Sequence, residues 1–416
     1  MTSHVDRAVI ILTPPEGGWR WLLDKPLAGV PALQRLVFTM GRAGIEKILI
    51  LSEDLDAHRR LKLQENFAAD PRSRAEVLIQ DRYQEGEVGE FLQLDEAMDS
   101  APILLAPGNL VTTTASLRKF LGKNSFSEPD GNSGDDEYSL PALIASSKLK
   151  RVKADKMVFS KEPLPAISRP GAKGESFFRL VEDHRQFRRL ESDLIHQHRH
   201  HYSQLLDVYF NVHFSLPISS LLIRLPVTPN QVTIFGLVIG AAAGWLFSLG
   251  DYMSGLVGGV LLAFTAIWDC CDGDVARMKF MESDFGETLD TACDNIINIF
   301  IFLGLAFGVA KVHGWGYALL PFALLALGGL SIFALIYFPE GGKGDFFKGT
   351  KIFDVIELLA SRNFIYIILG FSVFGRLDWF LWLAGFGSLI FALILFYEKQ
   401  RIQKTRSVKP VENGRA

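Results

Sequence analysis

DCCDGDVARMKFMESDFGETLDTACD, residues 269–294, holds eight of the seventeen acidic side chains found between residues 201 and 416. Their spacing is helical. Asp269 and Asp272 stand three apart, and Asp290 and Asp294 four apart, so each pair shares one face of a helix; Gly286 lies four before Asp290 on the same stripe. Two helices can thus aim four carboxylates at one point, and the runs on either side are apolar enough to be membrane spans. At an effective dielectric near 20, unit charges ~4 Å apart repel by about 4 kcal/mol. With Arg277 and Lys279 the nearby basic residues, such a cluster must stay largely protonated or hold cations. All-oxygen ligation suits Mg²⁺, Mn²⁺ or Ca²⁺ rather than zinc. Cys270, Cys271 and Cys293 fall on other helical faces and read as small packing residues. Beside the acids, Gly273 and Ala276 read as clearance for a ligand to approach the backbone, and Arg277 as a donor of charge-assisted bonds to phosphate.

Working outward, no charge interrupts Leu225–Gly250, Val312–Pro339 or Trp379–Tyr397, each long enough to cross a bilayer core. Tyr252–Trp268 runs into Asp269, Asn295–Ala310 runs out of Asp294, and Val355–Gly375 carries only Glu357 and Arg362 near its start. The expectation is an all-α domain of six transmembrane helices over 225–397. Lys343, Lys348 and Lys351 in one loop and Lys399, Arg401, Lys404, Arg406, Lys409 and Arg415 in the basic tail 398–416 face only Lys311 and Arg376 in the opposite loops. This bias places both termini in the cytoplasm. The first twenty residues lack a basic n-region and a small-residue cleavage site, so no signal peptide is expected.

The whole chain has 416 residues, 49% hydrophobic, with net charge −3, which excludes an extended nucleic-acid surface. Residues 1–200 hold 57 of the 89 charged side chains, so the first half is a soluble domain. The runs AVIIL, KILIL, AEVLI and PILLA read as buried parallel strands, and PALQRLVFTMGRAG places Leu33, Leu36, Val37 and Met40 on one helical face. Alternating strands and helices imply an α/β domain over 1–167. Within it, 124–137 reads as a mobile surface loop. Residues 168–224 read as a linker with a juxtamembrane amphipathic helix, ending near His196, His198, His200 and His201, which lack the remaining ligands of a metal site.

Asp269-x2-Asp272-Gly273-x2-Ala276-Arg277-x8-Gly286-x3-Asp290-x3-Asp294 resembles, at every fixed position, the signature of the CDP-alcohol phosphotransferases. The likeness runs from about Tyr202 to Tyr397 and takes in VTPNQVT and ASRNFIYIILGF, with Asn363 standing where relatives often have Asp. The resemblance implies that Asp269, Asp272 and Asp290 are divalent-ion ligands and that Asp294 borders the ions and acts as base. It also implies that Gly273, Ala276, Arg277 and Gly286 accommodate the CDP moiety, with two ions, Mg²⁺ or Mn²⁺, across the pyrophosphate. The implied reaction moves a substituted phosphate from a CDP-alcohol to the hydroxyl of a polyol, polyol-phosphate or lipid acceptor, releasing CMP at the membrane lipid surface, in a homodimer.

KPLAGVPALQRLVFTMGRAGIEKILIL is similar to the early segment of sugar-1-phosphate nucleotidyltransferases, a Rossmann-like, GT-A-like fold. Where that family has a glycine-rich turn ending in Arg, this chain has Thr13–Arg20 with Pro14 and Pro15, which remove two amide donors. Where it has a metal-binding Asp, this chain has Pro107-Gly108-Asn109. The comparison implies a fold that has lost nucleotidyl transfer. The two-domain order looks like that of the bifunctional inositol-1-phosphate cytidylyltransferase/di-myo-inositol-phosphate-phosphate synthases, which leaves the donor open between CDP-diacylglycerol and CDP-inositol. An alternative class is a cation carrier or scaffold with a regulatory soluble domain, although no second acidic half is evident.

Overall fold

The computed structural model describes residues 5–12, 20–52, 55–81, 102–122, 142–145, 177–181, 184–198, 212–337 and 363–408. The expected loop 124–137, His200, His201 and the loop lysines 343, 348 and 351 lie outside them. The chain divides into two compact units: Met1–His201 with Ser220–Pro226 and Ala276–Met281, and Tyr202–Ser219 with Val227–Val275 and Glu282–Ala416.

The first unit contains β1 (Arg7–Leu12), α1 (Arg20–Leu23), β2 (Pro26–Leu27), β3 (Val30–Pro31), α2 (Ala32–Ala43), β4 (Lys47–Ser52), α3 (Ala57–Ala69) and β5 (Glu76–Asp81). β6 (Pro102–Pro107), β7 (Leu110–Thr112), α4 (Thr114–Leu121), β8 (Ala142–Ala145), β9 (Phe178–Leu180) and α5 (Phe187–His198) follow. The main sheet has the order β5-β4-β1-β6-β8; β4, β1, β6 and β5 are joined by parallel pairings, and β8 runs antiparallel to β6. In register, Val9 stands between Leu49 and Leu105. Strands β1 and β6 are buried along their whole length, which is why their sequences are apolar without alternation. Leu33, Leu36, Val37 and Met40 of α2 are all buried, as their spacing predicts. The α/β class with a mostly parallel sheet is borne out.

Two features of this unit were not evident from periodicity. KPLAGVP folds as a tight hairpin in which Leu27 pairs with Val30 across Ala28 and Gly29. β9 and α5 belong to this compact unit, which continues past the expected boundary at residue 167. α5 is amphipathic, as expected, with Leu190, Leu194 and Ile195 buried and His196 exposed.

The second unit is helical: α6 (Val212–Arg224) apart from its last turn, α7 (Pro229–Leu249), α8 (Tyr252–Lys279) up to Val275, α9 (Asp284–His313), α10 (Trp315–Tyr337), α11 (Asn363–Val373) and α12 (Leu377–Val408). A capping box starts α7: Thr228 Oγ1 accepts from Gln231 N and the Gln231 side chain accepts from Thr228 N. Helices α7 and α9 run in the same direction at very close approach. A Cβ on Gly304 would collide with the Gly244 carbonyl, and one on Gly308 with the Phe247 carbonyl. Without a hydrophobic force between helices in lipid, such contact of small residues supplies the packing. A core of Ala243, Phe247, Leu262, Ala266, Ile301 and Leu305 is completed by Ile365, Ile368 and Phe380. Large apolar side chains face outward as well; Trp245, Val257, Leu330 and Leu393 are each more than half exposed. A bundle that is apolar on its outside is made for lipid.

Among the described residues, five helices are long and apolar enough to cross a membrane: Pro229–Leu249, Tyr252–Lys279, Asp284–His313, Trp315–Leu335 and Leu377–Ile402. They correspond to five of the six expected spans. The remaining one, Val355–Gly375, is described only from Asn363, where it forms the 11-residue helix α11. The second and third spans continue as helix through the acidic stretch, so Asp269, Asp272, Asp290 and Asp294 all lie within helices, as their spacing predicts.

Candidate functional site

Helix α8 continues from its apolar half straight into Asp269 and Asp272, so both carboxylates are set by the same rigid rod. Helix α9 begins at Ser283, whose side chain accepts from Gly286 N at 3.1 Å, and rises past Asp290 and Asp294. Asp269, Asp272 and Asp290 converge: each offers a carboxylate oxygen within 4.8 Å of those of the other two. Among the described residues this is the one such group of three or more. Asp294 lines the same cavity without joining that group.

The fit to a cation can be tested on single atoms. Asp272 is 9% exposed, and its Oδ2 accepts from Thr233 Oγ1 of α7 at 2.6 Å. Asp290 Oδ1 is buried with no hydrogen-bond partner. A buried carboxylate oxygen left without a donor costs free energy, and a hard cation is the partner that would satisfy it among other carboxylates. The donor set, all carboxylate oxygen, fits Mg²⁺ or Mn²⁺.

The acids line a cavity that is partly open to its surroundings. Trp268 forms part of its wall, held by an Nε1 hydrogen bond to the Val232 carbonyl at 2.8 Å and flanked by Phe235. Asn298, Phe364 and Ile365 also line it. Cys293 does so too, a difference from the expectation that all three cysteines face elsewhere: it stands three residues after Asp290, next to the stripe that carries Asp290 and Asp294. Cys270 and Cys271 are buried away from the cavity, with Cys271 Sγ 3.5 Å from its own helix's Ile267 carbonyl.

Gly273, Ala276, Arg277 and Gly286 do not line this cavity among the described residues. Gly286 sits in the first turn of α9, where a Cβ would come 3.4 Å from Asn230 Oδ1. Ala276 and Arg277 belong to the last turn of α8, which is grouped with the first compact unit. Asp274, two residues past Asp272, points away from the cluster: it is 2% exposed and accepts from Ser219 Oγ at 2.8 Å, tying α6 to α8. Thr233, Trp268 and Phe364 lie in or beside stretches whose likeness to a family was legible, but nothing in spacing alone assigned them to the site.

In the first unit, Pro107-Gly108-Asn109 forms a brace. Gly108 N donates to the Ile11 carbonyl at 2.9 Å, and Asn109 both donates through Nδ2 to Val181 O and accepts from Val181 N, each at 3.0 Å. Thr13–Trp19 lie outside the described residues.

Comparison with known proteins fits this geometry. Residues 226–341 match the model of the family described as CDP-alcohol phosphatidyltransferase, a segment that contains every acid of the cluster. A phosphatidylinositol phosphate synthase of Mycobacteroides abscessus is 36% identical over 110 residues, 26% of this chain and 48% of that protein. A second, of Corynebacterium glutamicum, is 29% identical over 175 residues, 42% of this chain and 78% of its own. A bifunctional IPC transferase and DIPP synthase of Aquifex aeolicus is 31% identical over 152 residues, 36% of this chain and 33% of that protein. The chain thus spans about half the length of the first of these relatives and a third of the last. The resemblance drawn from the aspartate spacing is borne out for the membrane segment.

Proposed function

We propose that this chain is an integral-membrane transferase that moves a substituted phosphate group from a CDP-alcohol to an acceptor hydroxyl and releases CMP. The observation that carries the reading is the convergence of Asp269, Asp272 and Asp290 from two helices, with one oxygen of Asp290 buried and unsatisfied. Asp269, Asp272 and Asp290 would hold Mg²⁺ or Mn²⁺, two ions in our reading, with Asp294 bordering them. When bound, the metal neutralises the pyrophosphate and the charge that grows on departing CMP. Thr233 fixes the rotamer of Asp272, so the ligands are pre-set before a donor arrives.

We assign to Asp294 the acceptance of the acceptor hydroxyl's proton; its place in the cavity lining, apart from the three-carboxylate group, supports this reading. Attack on the β-phosphorus of the donor forms the new P–O bond as the bond to the CMP oxygen breaks. Arg277, with clearance at Gly273, Ala276 and Gly286, is assigned to the donor's phosphates and nucleoside. Ile365 and Phe364 give the cavity an apolar wall on one side of the acids.

The names of the relatives favour a CDP-diacylglycerol donor with a phosphorylated polyol acceptor; the bifunctional relative keeps a CDP-polyol donor in view. The N-terminal unit is read as a nucleotidyltransferase-like fold without transfer activity, its Pro107-Gly108-Asn109 segment serving as a brace. We further read both termini as cytoplasmic and the assembly as a homodimer. Purified protein incubated with CDP-diacylglycerol or CDP-inositol, labelled inositol phosphate and Mn²⁺ tests the proposal. Absence of CMP with every pair, under conditions where the protein remains folded, would sink it in favour of a cation carrier.

A further inference from the structure

The end of α8 is built differently from the ends of its neighbours. Its last turn belongs to the same compact unit as the sheet. Met281 N donates to the Ala276 carbonyl at 2.8 Å, and the helix stops on Phe280, a non-glycine residue at φ +58°. A large side chain in the left-handed region persists only where its surroundings hold it. Here they do. The Phe280 ring, 7% exposed, meets Phe38 edge-on at 5.6 Å and lies under the guanidinium carbons of Arg35 and Arg42 at 5.1 and 4.9 Å.

Arg35, 3% exposed, completes the hold. Its Nη2 donates to the carbonyls of Met278 at 2.5 Å and Ala28 at 2.9 Å, and its Nε donates to Leu27 O at 3.1 Å. The Ala28–Gly29 hairpin tip is seated by the same parts: a Cβ on Gly29, at φ +78°, would come within 2.7 Å of Ile223 O and 3.0 Å of the Lys279 side chain. Lys279 Nζ in turn donates to Leu225 O at 2.6 Å, and Glu191 accepts from Ala28 N at 3.1 Å and from Arg224 Nη2 at 2.6 Å. One buried guanidinium and one hairpin thus tie together the carboxyl ends of α6 and α8.

We infer that Arg35 and the Pro26–Pro31 hairpin are positioning elements for the transfer reaction, fixing the terminal turn of α8 and with it Arg277. The inference rests on the proposed transferase reading, in which Arg277 meets the donor's phosphates. The last carbonyls of a helix have no partner within it, and an unsupported end frays. A fraying turn would spread Arg277 over many orientations and weaken its bonds to an anionic donor. Asp269 and Asp272 stand eight and five residues earlier on the helix, beyond the frayed turn, so metal capture would survive. The soluble unit then retains a role in transfer without any nucleotidyl transfer of its own.

The test uses the full-length chain in detergent with Mn²⁺ and CDP-diacylglycerol or CDP-inositol, comparing wild type with Arg35→Ala, Arg35→Lys and Phe280→Gly. Phe280→Gly removes the ring while easing the left-handed backbone, so it separates loss of the clamp from loss of fold. For Arg35→Ala and Phe280→Gly the expected result is a KM for the donor, and a Kd for CDP, raised about tenfold, with kcat held within about twofold. Mn²⁺ affinity stays at the wild-type value, and Arg35→Lys regains part of the donor affinity. Wild-type KM in both truncations overturns the inference, and so does a joint fall of KM performance, kcat and Mn²⁺ affinity, which is the mark of a merely structural role. A wild-type chain that neither releases CMP nor binds CDP would instead bring down the transferase reading itself.

Discussion

Thr233 Oγ1, on α7, stands 2.6 Å from Asp272 Oδ2, on α8, and donates to it. This bond reaches the cluster from a third helix, beyond the two that carry the acids. Thr233→Val keeps the shape and removes the donor. We expect Mn²⁺ affinity to fall by about tenfold or more, as is usual when a ligand's supporting hydrogen bond is lost. A Mn²⁺ titration of the two proteins checks this; an unchanged binding curve would count against Thr233 orienting the ligand.

Asp290 and Asp294 share a helical stripe yet are assigned different work, because only Asp290 joins the three-carboxylate group. Asp290→Asn should abolish metal uptake. Asp294→Asn should keep metal and CDP binding while turnover drops by roughly 10²–10⁴, the usual contribution of a positioned base. The comparison needs calorimetry for binding and CMP release for rate. Wild-type turnover in Asp294→Asn would remove it as the base.

Gly304 packs its Cα against the Gly244 carbonyl, so Gly304→Leu must drive α7 and α9 apart. Overpacking of this kind costs about 1–3 kcal/mol, and here it also disturbs the shelf on which Thr233 meets Asp272. Gly329→Ala is the control, since nothing lies within 4 Å of its added Cβ. Thermal unfolding in detergent should show a lowered Tm for the first variant and none for the second.

In the first unit, Asp70 is held below the ordinary carboxylate range by hydrogen bonds from the Arg72 side chain, despite partial burial that opposes them; Arg72 Nη2 lies 2.6 Å from Asp70 Oδ2. A depressed carboxyl pKa contributes stability that is fully present above the unfolded value near 3.9 and is lost as pH falls through the lower folded value. Amide protection in the first unit, the intrinsic exchange rate relative to the observed one at each pH, should therefore fall below about pH 4, the unfolded carboxylate range. Asp70→Asn should flatten that dependence. The same slope in both proteins would assign the acid sensitivity to other groups.

The membrane segment was legible because its signals are local. Charge-free runs match bilayer thickness, and Asp269, Asp272, Asp290 and Asp294 stand at helical intervals; both depend on the rise and twist of a single helix, which neighbouring residues set. The buried strands at Arg7–Leu12 and Pro102–Pro107 were legible for the same reason, as unbroken apolar runs.

Contacts between helices were another matter. Periodicity could put Asp269 and Asp272 on one face but could not show that Asp290 meets them while Asp294 stands off, that Asp274 turns away to Ser219, or that Cys293 reaches the cavity wall. These depend on where separate helices meet: Ser219 of α6 with Asp274 of α8, and Asp290 of α9 with the acids of α8, just as Gly304 of α9 meets Gly244 of α7, sixty residues earlier in the chain. KPLAGVP likewise carries no periodicity that marks it as paired strands. Only folding makes it a hairpin whose tip reaches Ile223 and Lys279, because backbone conformation at Ala28 and Gly29 is selected by the surface that receives it.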